Sequence, residues 1–147
     1  MTEFVTQRIR VHIACKPLPK GRPRVVNGRA YTDPKTRGYE TFLRIAMRNL
    51  AGQHNWTLPT GDVSVRIVLR FANAVHGDVD NCAKAILDAA NGVLFRDDKS
   101  VRIMCVERGW ATEDEPEGLW VAVATLPDDP MPKKKRVKRA AAREETR

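Results

Sequence analysis

Apolar and polar positions alternate in four stretches of this chain, and between them the apolar spacing switches to three and four. Residues 8 to 15 place Ile9, Val11, Ile13 and Cys15 on one side and His12 on the other, which predicts a strand with one buried face. Residues 62 to 72 repeat the pattern, with Val63, Val65, Ile67, Leu69 and Phe71 opposite Ser64, Arg66, Val68 and Arg70. Two further strands are expected at about 101 to 108 (Val101, Ile103 and Cys105 inward) and 118 to 126, joined by TEDEPEG as a hairpin loop. Thr32-Asp33-Pro34 starts a helix, with Asp33 as N-cap and Pro34 at the first helical position. It runs to about Leu50 with Tyr39, Phe42, Ala46 and Leu50 inward. A second helix spans residues 81 to 91, with Cys82, Ile86, Ala89 and Ala90 as its stripe and Asn91-Gly92 as its stop. The order β-α-β-α-β-β predicts an α+β domain, one mixed sheet with two helices packed on it, over residues 1–126.

The segment between the first strand and the first helix breaks the pattern. KPLPKGRPRVVNGRAYTDPKTR holds three prolines before Asn27 and reads as a stiffened loop, with a small turn at Asn27-Gly28. It carries Lys16, Lys20, Arg22, Arg24, Arg29, Lys35 and Arg37 against Asp33 alone, a set suited to DNA phosphates and equally to a solvated surface loop. Formal charge is +8 for 147 residues. Residues 127–147 hold eight Lys/Arg against four acids, a basic tail read as a disordered extension; its PKKKRVKR run is an import-like pattern that arises readily by chance. Polyanionic partners fit this balance, nucleic acid foremost.

Three widely spaced cysteines without a CxxC exclude a zinc site and a disulfide framework, and read as small core residues. No apolar run suits a membrane span and no leader pattern opens the chain, so a reducing cytoplasm is the expected compartment.

Against this basic background, Gly77 to Val101 concentrates acids: Asp78, Asp80, Asp88, Asp97 and Asp98, with Asn81 and Lys84 among them. Carboxylates gathered on a basic protein suit a hard divalent cation, Mg²⁺ first. Asp78 and Asp80, two apart in an extended segment, would face one ion, with Asp98 as a further ligand and Asp97 second to it. Lys84, leaning toward the helix N-terminus, would meet a phosphate. Asp88 would orient that lysine. Taken singly, the acids read more readily as turn formers and a helix cap, and Lys84 with Asp88 as a surface pair. Their joint occurrence favours the metal reading.

The run Asp78-Val79-Asp80-Asn81 with Lys84, Asp88 and Asp97-Asp98 resembles the D-x-D-N-x-x-K-x-x-x-D…D-D signature of RusA-type Holliday junction resolvases, small endonucleases of bacteria and prophages. Pro19-Lys20-Gly21-Arg22-Pro23-Arg24, Tyr31-Thr32 and Tyr39-Glu40 extend the likeness, so it covers about residues 16 to 101. The resemblance implies Mg²⁺-dependent resolution of four-way DNA junctions by a homodimer, without a small-molecule cofactor or a membrane. Asp78, Asp80 and Asp98 match the family's essential acids and Lys84 its essential lysine. Gly77 and Cys82 depart from the common residues, proline or a basic residue and leucine. A non-catalytic DNA-binding module and a nuclease for flaps or forks are the rival functions.

Overall fold

Strand β1 (Arg8–Ile13) buries every second side chain, as its alternation dictates. The computed structural model describes residues 3–133, so the tail from residue 134 on lies outside the described residues. Strands β2 (Arg24–Val26) and β3 (Arg29–Tyr31) form a separate two-stranded sheet, and helix α1 (Pro34–Gln53) follows. Then come β4 (Val63–Phe71), α2 (Val79–Ala90), a 3₁₀ turn (Asp98–Ser100), β5 (Val101–Trp110) and β6 (Gly118–Thr125).

The main sheet has the order β1-β6-β4-β5, antiparallel except for the parallel β4–β5 pair. A parallel pair needs a crossover, and α2 supplies it. Both helices pack on one face of the sheet, where Ile9, Val11, Ile67, Leu69, Phe71 and Val121 join Leu43, Met47 and Ile86 in one core. The architecture is α+β: two helices on a mixed sheet, plus a small second sheet.

Several local expectations change. The stiffened basic loop folds its middle into the β2–β3 hairpin, because Asn27 (φ 52°) and Gly28 (φ 75°) make a two-residue turn of the kind that joins twisted strands. Helix α1 continues to Gln53 and buries Thr36, Tyr39, Leu43, Met47 and Ala51; Phe42 is 49% exposed. The stripe thus runs one position further along the helix than expected, with Ala46 and Leu50 only partly buried at its flank. Asp33 occupies the N-cap position, but its side chain makes no cap hydrogen bond. Its carboxylate lies instead 3.8 Å from Arg24.

The TEDEPEG segment is not a hairpin loop. β5 and β6 flank β4 on opposite sides, so the segment crosses the end of β4. Ala111 N–H donates to the Phe71 carbonyl at 2.9 Å, and Glu117 accepts from Ala72 N–H at 2.9 Å. A bulge at Arg102 shifts the register between Val63↔Val101 and Ser64↔Ile103. A one-residue slip turns the following side chains over, so Ile103 and Cys105 lie exposed on the open sheet face. Among the cysteines only Cys82 is fully buried, Cys15 lies just beyond the end of β1, and all three are free. His12 stacks on Trp120 with ring centroids 4.3 Å apart.

Candidate active site

Helix α2 begins at Val79, two residues before the expected start, which puts Asp78 at the N-cap and Asp80 inside the first turn. The two acids therefore do not share an extended segment. Asp78 keeps an extended backbone (φ −63°, ψ 145°) and its side chain makes no cap bond, which leaves that carboxylate uncommitted. Asp80 gains from the positive helix end. Burial pushes the Cys82 thiol up to about 11, and the charges of Asp78 and Asp80 add to the rise. Both carboxylates thus stand near one point of α2. Asp80, Asn81 and Lys84 are exposed on its first two turns, and positions four apart lie side by side.

Asp88 does not serve Lys84. Its carboxylate accepts directly from the Lys20 ammonium, which also lies 3.5 Å from Glu40. Lys20 N–H donates to the Asn81 carbonyl at 3.1 Å, Gly21 N–H to Thr36 Oγ1 at 2.9 Å, and Leu18 N–H to Tyr39 Oη at 3.2 Å. Residues 18 to 21 are thereby strapped across both helices. Pro19 sits so close to Gly77 that a Cβ there would fall 2.5 Å from the Pro19 Cβ. The glycine that departs from the common pattern is what lets the strap approach the acid-bearing stretch. Of the other cations singled out, Lys16, Arg22, Arg24, Arg29, Lys35 and Arg37 are all exposed. Arg24 reaches Asp33, and the rest form no ion pair among the described residues.

Asp97 and Asp98 belong to the turn before β5. Asp97 accepts from Lys99 N–H at 3.1 Å, and its carbonyl accepts from the Ser100 hydroxyl at 2.6 Å. A hydrogen bond between the two carboxyl groups holds Asp98 above the usual carboxylate range and Asp97 below it. The order of the elements places this pair after the C-terminal end of α2. Strand direction agrees. β4 and β5 run parallel from Val63↔Val101, so Asp78 follows the far end of β4 while Asp98 precedes the near end of β5. The helix between them rises about 18 Å. Among the described residues, no three His, Cys, Asp or Glu side chains stand together as a metal site within one chain.

Sequence periodicity gave no hint of a cluster just ahead of Asp78. His76 Nδ1–H donates to the Gly77 carbonyl at 3.0 Å, and its Nε2 accepts from Arg108 at 2.9 Å, which sets the orientation of the ring. Its ring packs on Phe71 and, edge-on, on Trp110, over which Arg108 lies at 5.0 Å. These partners come from β5, 32 and 34 positions away in sequence, so only pairing with β4 brings them there. They put a guanidinium and a half-exposed indole against His76, two residues ahead of Asp78.

A family model described as Endodeoxyribonuclease RusA matches residues 14–124, from the end of β1 to β6. The chain belongs to the RusA family. The match spans both acid pairs, the basic strap and hairpin, and the His76 cluster. No curated protein matches the chain. The RusA family is one of endodeoxyribonucleases, and nucleases of this kind usually work with a divalent metal. The donors here suit one chemically: every candidate is a hard carboxylate oxygen, and Asp78 is free of cap duty. No helix among the described residues is long and apolar enough to cross a membrane.

Proposed function

We propose that this RusA-family chain is a Mg²⁺-dependent endonuclease that resolves four-way DNA junctions by paired nicks as a homodimer, in recombination and repair. The observation that carries this is the array of uncommitted Asp78, Asp80 and Lys84 on the first turns of α2, in a chain of an endodeoxyribonuclease family. Mg²⁺ held by Asp78 and Asp80, with Asp98 and Asp97 completing the set, would supply an activated water and charge neutralisation at the leaving 3′ oxygen. Lys84 offers its ammonium to the scissile phosphate as negative charge builds there. Water oxygen bonds to phosphorus, the bond to O3′ breaks, and a 5′ phosphate remains. The exposed cations flanking the strap and on the hairpin, Lys16, Arg22, Arg24, Arg29, Lys35 and Arg37, hold the arms through phosphate contacts that orient without reading sequence.

The placement of the acids supports a dimer in a specific way. Within one chain the pairs flank α2, so a cation shared by both takes Asp98 from the second protomer. The test is complementation. D80N and D98N homodimers are each expected to bind a synthetic mobile junction and fail to nick it. Mixed and re-associated, they form heterodimers with one intact composite site, and nicking returns. Full activity of D80N alone in Mg²⁺ refutes the nuclease site; a dead mixture refutes its composite construction. Flap and fork substrates compared in the same assay decide between junction resolution and other branched-DNA cleavage.

A further inference from the structure

We propose that the β2–β3 hairpin is a wedge that enters the branch point of the DNA and separates its unstacked base pairs; this rests on the branched-DNA reading above. The hairpin is built to protrude. All six of its strand residues are exposed, and it forms a sheet of its own. A lone two-stranded hairpin is marginal in water, yet just behind its turn this one exposes two apolar residues, Val25 at 70% and Val26 at 52%. Its base is secured: Gly21 is bonded to Thr36, Arg24 lies beside Asp33, and α1 starts at Pro34 immediately after it. Three strand residues then extend the tip about 10 Å from that base.

Register sets what each face carries. Directly paired residues share a face, so Arg24, Tyr31, Val26 and Arg29 lie on one side and Val25 with Ala30 on the other. A ribbon that merely lies along a groove has use for one apolar side. A ribbon that shows an exposed valine on each side just behind its Asn27-Gly28 turn suits insertion between two base pairs, as apolar wedges do at kinked steps. A four-way junction offers that step already parted, which removes much of the unstacking cost. Charge complements the backbone around it: Arg22, Arg24, Arg29, Lys35 and Arg37 surround the wedge, with Asp33 the one acid between residues 22 and 37.

The test uses the full chain in metal-free buffer, where nicking is off. The probes are a synthetic four-way junction carrying 2-aminopurine beside the branch point, and a linear duplex of equal length. The parent is expected to raise the 2-aminopurine fluorescence and to prefer the junction. V25T/V26T keeps the β-branched shape that strands favour and removes the apolar contact. It should abolish the fluorescence rise and cut the junction-over-duplex preference about tenfold. R24A/R29A, by contrast, should weaken binding to both DNAs and lower the salt slope by about 2. A V25T/V26T protein that matches the parent in fluorescence and preference overturns the wedge. So does one that sediments as a smaller species than the parent, since the hairpin would then be a contact between protomers. A parent that shows no junction preference defeats the branched-DNA reading itself, whereas a D80N protein that still nicks defeats only the assigned acids.

Discussion

Replacing Gly77 by alanine tests whether the strap is pressed onto the acid-bearing stretch. A methyl at this position would lie 2.5, 2.6 and 2.9 Å from the Cβ, Cγ and Cδ of Pro19. Carbon atoms settle about 3.5–4.0 Å apart, so Pro19 must retreat by about 1 Å. The proline ring cannot swing aside, because its Cβ and Cδ are tied to the backbone. The strap has to move as a unit. The first bond it strains is Lys20 N–H to the Asn81 carbonyl, 3.1 Å in the parent, and with it the Lys20–Asp88 pair. Overpacking of this kind costs about 1–3 kcal/mol. The φ of Gly77 is not positive, so without the clash alanine would stabilise by about 0.4–1 kcal/mol through the unfolded chain. The expected net is a loss of about 1–2 kcal/mol in urea unfolding followed by circular dichroism. P19G removes all three clashing atoms, so P19G/G77A should fall short of the summed single losses by more than about 0.5 kcal/mol. A G77A protein as stable as its parent, or a strictly additive double variant, would refute the contact.

K20M leaves the Asp88 and Glu40 carboxylates without their cation and should cost about 1 kcal/mol, since the side chains involved are about a quarter exposed. The salt slope of DNA binding should stay as it is in K20M, because the lysine charge is already spent internally; a fall of about 1 would show a phosphate contact instead. Under native conditions Cys105 should react quickly with a thiol reagent and Cys82 should not, with all three thiols reacting in denaturant; rapid labelling of Cys82 would contradict its burial. Burial pushes the Cys15 thiol up to about 11 and raises the Tyr39 hydroxyl in the same direction. Both groups keep protons in the folded chain that the unfolded chain has lost. Their contribution is therefore complete below about pH 9 and declines toward pH 11, so stability should fall across that window. A flat profile there would disprove the assignment.

What the sequence settled alone was local. A period of two needs only neighbouring residues to be legible, so β1 and β4 with their buried faces could be read directly, as could β6 as a strand and the presence of the two helices. The same holds for the acid and lysine types in the stretch from Gly77 to Val101, and for the basic run before α1. Family membership was legible for the same reason, since its signature is a spacing. Long-range contacts decided the rest. Periodicity cannot say that β5 and β6 sit on opposite sides of β4, and so TEDEPEG read as a hairpin. One bulge residue turned Ile103 and Cys105 outward, a change that composition does not record. Lys20 found Asp88 across 68 positions, where spacing had offered Lys84. Most of all, the parallel β4–β5 pairing set the two acid pairs at opposite ends of α2. Charge type is fixed by the residue, but which charges meet is fixed by strand direction, and that belongs to the folded sheet.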